Sequence, residues 1–321
     1  MDRTVIRKKK KNKKRRRIFF ILIPLLLIFF SIVGYGAYLA LKVANVSSES
    51  QKDLERGSKS EMRDEAVDPT KDNFSVLFIG VDEREGETNS RSDALILVTF
   101  NKEDKTVKMV SIPRDSRVKI PGRAKKDKIT HAHAFGGVDL TVATVEELLD
   151  VPVDYYTKLN FSAFMDIVDA LGGITVNSSI AFTEQDSNDQ RGKISISKGE
   201  QTLDGEEALA YVRMRKKDPT GDIGRGERQK EVIKAIINKS ASLSSITKYD
   251  DLIDSIGDNL TTNFSIGNIL ALQKYSGSLN SIESIPIEGY DDPYNGVYYY
   301  HLEEESLEEV TDELKSHLNI N

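Results

Sequence analysis

The chain has 321 residues, 30% of them charged, a formal net charge of −6, and no cysteine or tryptophan. With no thiol, disulfides and cysteine–metal sites are excluded, and a folded part must rest on core burial. The negative balance excludes a general nucleic-acid binder, and no nucleic acid is expected as a partner.

Charge is spread unevenly. Residues 1–17 hold eleven Lys and Arg and one acidic residue, Asp2. An uncharged apolar run follows over residues 18–41, longer than the ~20 residues that a bilayer-spanning helix needs. Tyr35 and Tyr38 stand near its outer end, where aromatic rings favour the interface. The basic block is read as a cytoplasmic tail that contacts anionic membrane lipid, and the rest of the chain is expected outside. A cleaved signal peptide has a shorter apolar core, ~7–15 residues, and Lys42-Val43-Ala44-Asn45 makes a poor cleavage site. Beyond residue 41 the chain carries 34 basic and 50 acidic residues, a net of −16. A cluster of arginines there implies a locally basic cleft on an acidic body. Residues 42–72 are rich in Ser, Glu, Lys and Asp without an apolar period, and read as a stalk or linker. One domain is expected over residues 73–321.

That domain opens on Phe74–Val81, a short apolar run suited to a buried strand. A polar loop follows to Ser92. Ala94–Phe100 is a second strand, residues 101–105 a turn, and Thr106–Ile112 a third strand stopped by Pro113. If the second and third strands form a hairpin and the first pairs antiparallel to the second, Asp82, Asp93 and Arg114 meet at one end of the sheet. Further on, His131 and His133 read as one face of a strand, and a helix covers Val138–Leu149. Tyr155–Leu159 suits a strand, and Phe161–Leu171 a helix stopped by Gly172-Gly173. Ile174–Ile180 reads as a strand and residues 182–192 as a polar loop. Asp204-Gly-Glu-Glu207 is a capping box that starts a helix to Tyr211. Helices are expected over 226–242, 249–259, 265–275 and 302–318, and strands over 281–287 and 297–300. The order gives an α/β domain with a mixed central sheet flanked by helices, preceded by one N-terminal transmembrane helix.

The segment ends carry the chemistry: Asp82-Glu83-Arg84, Arg91-Ser92-Asp93, Arg114-Asp115, Arg213-Met214-Arg215 and Asp222-Ile-Gly-Arg225-Gly-Glu-Arg228-Gln229. Arginine holds phosphate through two parallel hydrogen bonds, and aspartates beside it suit a hard cation such as Mg²⁺. No Gly-rich phosphate loop, G-x-S-x-G elbow or zinc spacing is present. Taken singly, each residue has an ordinary role. Aspartate at a strand end caps a turn, and arginine on a surface forms ion pairs. Arg225 and Arg228 oppose the helix dipole, a cost that fits an anion bound at the same helix start.

Taken together, the segments resemble the LytR–CpsA–Psr family of extracytoplasmic wall-polymer ligases. The likeness rests on Leu77-Phe-Ile-Gly-Val-Asp-Glu-Arg84, Arg91-Ser-Asp93, Val110-Ser-Ile-Pro-Arg-Asp115, Phe135-Gly-Gly137, Asp169-Ala-Leu-Gly-Gly173, Tyr211-Val-Arg-Met-Arg215 and Gly221–Gln229, in order and spacing. The stretch Lys128-Ile-Thr-His-Ala-His133 departs from the family's Lys-Ile-Asn-Ala-Ala-Tyr, so no role passes to His131 or His133. The resemblance implies transfer of an anionic glycopolymer (teichoic acid, capsule or similar) from polyprenyl pyrophosphate to a peptidoglycan hydroxyl, the C6 hydroxyl of N-acetylmuramic acid. Polyprenyl phosphate would leave. It implies a pyrophosphate cradle of Arg84, Arg91, Arg114, Arg213, Arg215, Arg225, Arg228 and Gln229, with Arg114, Arg225 and Arg228 foremost. Asp82 and Asp93 would hold Mg²⁺ (or Mn²⁺), and Asp82 or Asp222 would serve as general base. The lipid tail would lie in an apolar groove between the sheet and helices 138–149 and 161–171. A hydrolase of lipid pyrophosphates would use the same residues. A non-enzymatic envelope regulator of transcription is disfavoured, because seventeen cytoplasmic residues cannot build a DNA-reading domain.

Overall fold

The computed structural model describes residues 51–83, 90–215, 217–219, 221–240, 260–265, 268 and 282–320, with backbone alone at 222, 223, 237 and 240. The basic tail 1–17, the apolar run 18–41 and the helices expected over 249–259 and, apart from Ser265 and Asn268, 265–275 lie outside the described residues. Among the described residues no helix is long and apolar enough to cross a membrane.

In chain order the strands are β1 (Phe74–Val81), β2 (Ser92–Asn101), β3 (Thr106–Ile112), β4 (Arg117–Val118), β5 (Asp127–Lys128), β6 (Tyr155–Asn160), β7 (Ile174–Ser178), β8 (Phe182–Glu184), β9 (Ile194–Ile196), β10 (Gly199–Leu203), β11 (Leu260–Thr262), β12 (Glu283–Ile285), β13 (Gly289–Asp291) and β14 (Tyr300–Leu302). The helices are α1 (His131–Leu149), α2 (Phe161–Ala170), α3 (Gly205–Arg213), α4 (Asp222–Ser240) and α5 (Glu304–Leu318). Six strands form the central sheet in the order β11-β6-β1-β2-β3-β12. It is mixed: β1 runs antiparallel to β2 and β2 to β3, β6 is parallel to β1, and β12 is parallel to β3.

Alternation along the strands builds a core on each face. Leu77, Ile79, Val81, Leu95, Leu97, Val110 and Ile112 pack on one side with Val142, Val145 and Leu149 of α1 and Val310, Leu314 and Leu318 of α5. Phe74, Val76, Ile96, Val98, Val107 and Met109 pack on the other with Phe264 and with Ile233 of α4. Each such fully buried side chain contributes about 1.5–3 kcal/mol of transfer free energy. The mixed sheet between helices is the architecture read from the sequence. A separate cluster, Val168, Ile174, Val176, Phe182, Leu203, Tyr211 and Val232, joins α2, α3 and α4 to the small hairpins.

Local signals explain several boundaries. Asn160 caps α2 by accepting from the Ala163 N–H at 2.8 Å. Gly173, at φ 84°, lets the chain turn away after α2, and a Cβ there would sit 2.8 Å from Thr202 Cγ2. The capping box of α3 forms as expected: Asp204 accepts from Glu207 N at 2.9 Å, and Glu207 accepts from Asp204 N at 3.1 Å.

Other expectations need correction. His131 and His133 lie on a helix, because α1 begins seven residues early and is broken at Gly136 and Gly137 (φ 61° at Gly137). The polar stretch 182–192 contains β8, which pairs with β9. The helix expected from Gly226 starts at Asp222, and the last strand lies at Tyr300–Leu302 instead of 297–300. Val142, Val145 and Leu149 of α1, on the helix expected to wall an apolar groove, are core.

The described part of the segment read as a stalk packs on the domain. Leu54 is buried in the larger core. Arg56 pairs with Glu146 and donates to Val153 O at 2.6 Å, and Arg63 grips Asp154. Its scarce apolar residues hid this, because the hold is made by arginines and backbone.

Candidate active site

The three segments expected to meet at one sheet end do so. β1 and β2 pair regularly up to Gly80↔Ala94, after which Val81 faces Ser92. Asp93 is therefore the extra residue of a β-bulge, a device that re-aims a side chain. Arg114, just past β3, donates from Nη1 to Asp93 Oδ1 at 2.6 Å. Asp82 follows β1 directly, half-buried beside the same bulge.

Asp115 is a hub that sequence reasoning passed over. Its Oδ1 accepts from Lys128 Nζ at 2.7 Å, its Oδ2 from Arg215 Nη1 at 3.2 Å, and Arg114 Nε lies 3.7 Å away. Burial pushes the Asp115 carboxyl up, but the Lys128 hydrogen bond and the charges of Arg114, Lys128 and Arg215 outweigh it, so the net shift is downward. Arg215 also donates to Tyr298 OH, which in turn donates to Asp291 at 2.7 Å. Burial and the Asp291 hydrogen bond push the Tyr298 phenol up to about 12, against the pull of Arg215.

These groups surround a cavity of about 980 Å³. Of the expected residues, Asp93, Arg114, Arg213, Arg215, Arg225 and Gln229 line it. Arg213 and Arg215 can both do so because α3 ends at Arg213 and Met214 is extended, at φ −61° and ψ 129°. Arg225 and Gln229 are one turn apart on α4, and Gln229 Oε1 accepts from Ser111 Oγ at 2.9 Å. The cleft is mixed in charge and not simply basic, with Asp115, Glu184, Asp218 and Asp291 among its walls. Carboxylates buttress the arginines against one another, which allows so many cations in one place.

Other expected residues stand elsewhere. Arg228 is 5% exposed and points back into the fold. It donates from Nε to Tyr211 O at 3.1 Å, from Nη2 to Met214 O, and pairs with Asp218. It ties Tyr211, Met214 and Asp218 to one side chain and so acts on Arg213 and Arg215 from behind. Arg91 is exposed outside the cavity lining. Arg84 and the Asp222 side chain lie outside the described residues. His133 is buried against Ser90 O at 2.8 Å, and burial pushes its pKa down. His131 lies 3.0 Å from Asp127. Neither lines the cavity.

Asp115 stands beside Arg114 in the sequence but with no role read for it, and Lys128, Tyr298 and Asp291 carry no local signal for one. Only tertiary contact joins Asp115 to Arg215, 100 residues away. Among the described residues, no group of three or more His, Asp or Glu could hold a metal alone. The donor chemistry of Asp82 and Asp93 suits Mg²⁺ only if a ligand adds oxygens, the usual arrangement where phosphate is bound.

The sequence matches the profile of the LytR_cpsA_psr family over residues 37–316. It is 52% identical over 290 residues to the polyisoprenyl-teichoic acid–peptidoglycan teichoic acid transferase TagT of Bacillus subtilis (strain 168), covering 89% of each chain. It is 42% identical over 292 residues to the transferase TagU of Halalkalibacterium halodurans, covering 90% of this chain and 94% of that one. The fold matches a solved structure of the LytR-CPS2A-psr family protein YwtF (TagT) with bound octaprenyl pyrophosphate lipid. The TM-score is 0.67 at 45% identity, covering 84% of this chain and all of the other.

Proposed function

This chain belongs to the LytR–CpsA–Psr family, and from that premise we propose that it transfers teichoic acid or a similar anionic glycopolymer from polyprenyl pyrophosphate to a peptidoglycan hydroxyl. The observation that carries the reading is the convergence of Arg114, Arg213, Arg215 and Arg225 with Asp93 on one cavity. Guanidinium groups fixed around a cavity, with carboxylates at its edge, fit a pyrophosphate and do little for an uncharged sugar. The relatives' names and the bound octaprenyl pyrophosphate of one of them support the same chemistry.

Arg114 and Arg225 grip the pyrophosphate oxygens, with Arg213, Arg215 and Gln229 beside them. The acceptor hydroxyl oxygen attacks the sugar-linked phosphorus. Its proton passes to a carboxylate, Asp82 or Asp222. The bond to the bridging oxygen breaks, and polyprenyl phosphate leaves with that oxygen. Asp82 and Asp93 would hold Mg²⁺ or Mn²⁺, which supplies charge neutralisation at the phosphates. The arginines contribute position and charge, the main sources of catalysis in phosphoryl transfer. Asp115 holds Arg114, Lys128 and Arg215 together and aimed. Arg228 is a positioning residue in this scheme.

Residues 18–41 serve as a membrane anchor, with tail 1–17 in the cytoplasm and the catalytic domain, including the packed segment 51–72, outside. No ATP is available there, so the preformed pyrophosphate is the energy source. The test uses the full chain in detergent with a polyprenyl-pyrophosphate-linked saccharide, Mg²⁺ and peptidoglycan oligomers. Saccharide phosphate attached to the glycan is expected. Free saccharide phosphate with none attached would overturn the transfer reading in favour of a hydrolase using water at the same site.

A further inference from the structure

A polymeric acceptor needs more than a place for one hydroxyl. Sugars on either side of the reacting one must lie on a surface next to the cavity. The β13–β14 hairpin has the form of such a surface. Its Gly289, Asp291, Tyr298 and Tyr300 wall the cavity, and Tyr300 N donates to Asp115 O at 2.9 Å. The hairpin is thus tied to the arginine-bearing segment at a fixed offset.

Its tip is a rigid two-residue turn. Asn295 and Gly296 take φ of 53° and 79°, and Tyr294 and Val297 exchange backbone hydrogen bonds at 2.9 and 3.0 Å. Tyr290, Tyr294 and Val297 are 52%, 48% and 45% exposed, three of the five exposed large hydrophobics among the described residues. Their concentration in one hairpin is the kind of patch that marks an interaction surface. The rings are held in place. Tyr294 lies over the Arg117 guanidinium, 3.9 Å from the ring centroid, and Tyr290 packs on His301 with centroids 4.8 Å apart. Preorganised rings lose little freedom on binding.

Charge selects among occupants. Glu288, Asp291 and Asp292 are the sequence neighbours of the rings; Arg117 lies by Tyr294, while Lys128 and Arg215 lie against the hairpin's other aromatics, Tyr298 and Tyr299. An anionic lipid surface or a polyphosphate chain is repelled there. A pyranose is not: its C–H face is apolar and flat, suited to stack on the rings, and its hydroxyls can meet the carboxylates. We propose that the β13–β14 hairpin docks the acceptor glycan, with sugars next to the reacting one stacked on Tyr290 and Tyr294. This rests on the transferase reading above and names the surface by which that reaction takes its acceptor.

The test compares the full chain in detergent with its Tyr290→Ser/Tyr294→Ser variant, using an undecorated peptidoglycan octasaccharide as probe. Acceptor KM is expected to rise about tenfold or more, equivalent to roughly 1.4 kcal/mol. The kcat at saturating acceptor and the KM for donor should stay within about twofold, because the lost acceptor contacts are equal in the ground and transition states. The Tyr290→Phe/Tyr294→Phe variant should behave as the parent. An unchanged acceptor KM would overturn the proposal. So would lost partition onto phosphatidylglycerol vesicles with acceptor KM intact, which assigns the rings to membrane. If the parent forms no glycan adduct, the transferase reading fails by itself. Calorimetric binding of the same octasaccharide then decides the surface: loss in the serine variant supports it, and equal or absent binding in both overturns it.

Discussion

Arginine meets aspartate at both ends of β1, with opposite consequences. At its start Arg63 grips Asp154 with two bonds, Nε to Oδ1 at 3.0 Å and Nη2 to Oδ2 at 2.8 Å. Ser75 N adds a third donor at 2.9 Å, and the Asp154 side chain is 3% exposed. At the far end Arg114 gives Asp93 one bond and stands 43% exposed beside a cavity. The closed pair holds a chain segment in place. The open one is buttressed enough to keep its geometry and free enough to receive an anion. An arginine's role is read from how fully its fork is matched, not from its neighbours' identity.

The largest expected effect breaks the open end. Arg114→Ala should lower transfer about 10³-fold, as loss of a charge-stabilising donor does, while thermal denaturation of the full chain in detergent moves little. A stability loss as large as its activity loss would erase the contrast. At the closed end Arg63→Ala leaves Asp154 buried and unpaired, at a cost of about 3–5 kcal/mol. Denaturant unfolding should show it, with activity per folded molecule retained. Arg63→Lys should restore little, because the ammonium cannot match the fork.

A buried group away from both ends separates charge from packing. His317 sits between Thr99 Oγ1 at 2.8 Å and Thr106 Oγ1 at 2.9 Å, and burial, then the charge of Lys108, pushes its pKa down to about 4. Asp104, Glu283 and Glu313 pull the other way. The unfolded chain binds that proton first, so the contribution is whole above pH ~6.5 and is lost as pH falls toward 4. The loss amounts to about 3 kcal/mol, and His317→Gln should flatten that part of the pH–stability curve. The smallest change concerns the 51–72 segment. Glu146→Gln weakens its hold on Arg56 and Ser60 and should cost about 1 kcal/mol of thermal stability.

Much of the sheet was legible. The apolar runs and Pro113 gave β1 to β3, and hairpin logic alone brought Arg114 to Asp93. The Asp93 bulge was not, since it exists only in the register between two strands. Arg228 was misread because three-residue spacing put it with Arg225, while the carbonyls of Tyr211 and Met214 that claim it arrive from another element. The Asn295-Gly296 turn signal stood in the sequence, but a run of tyrosines read as a strand. The hub at Asp115 needed partners that only folding assembles.

The bulge carries one more consequence. A chain lacking one residue at Asp93 would continue the ladder past Gly80↔Ala94 without interruption. That sheet would be more regular, yet a carboxylate would be gone from the site. Deletions that smooth this edge and changes that keep the chemistry pull the sequence in opposite directions. Stabilisation by engineering should therefore leave this irregularity alone.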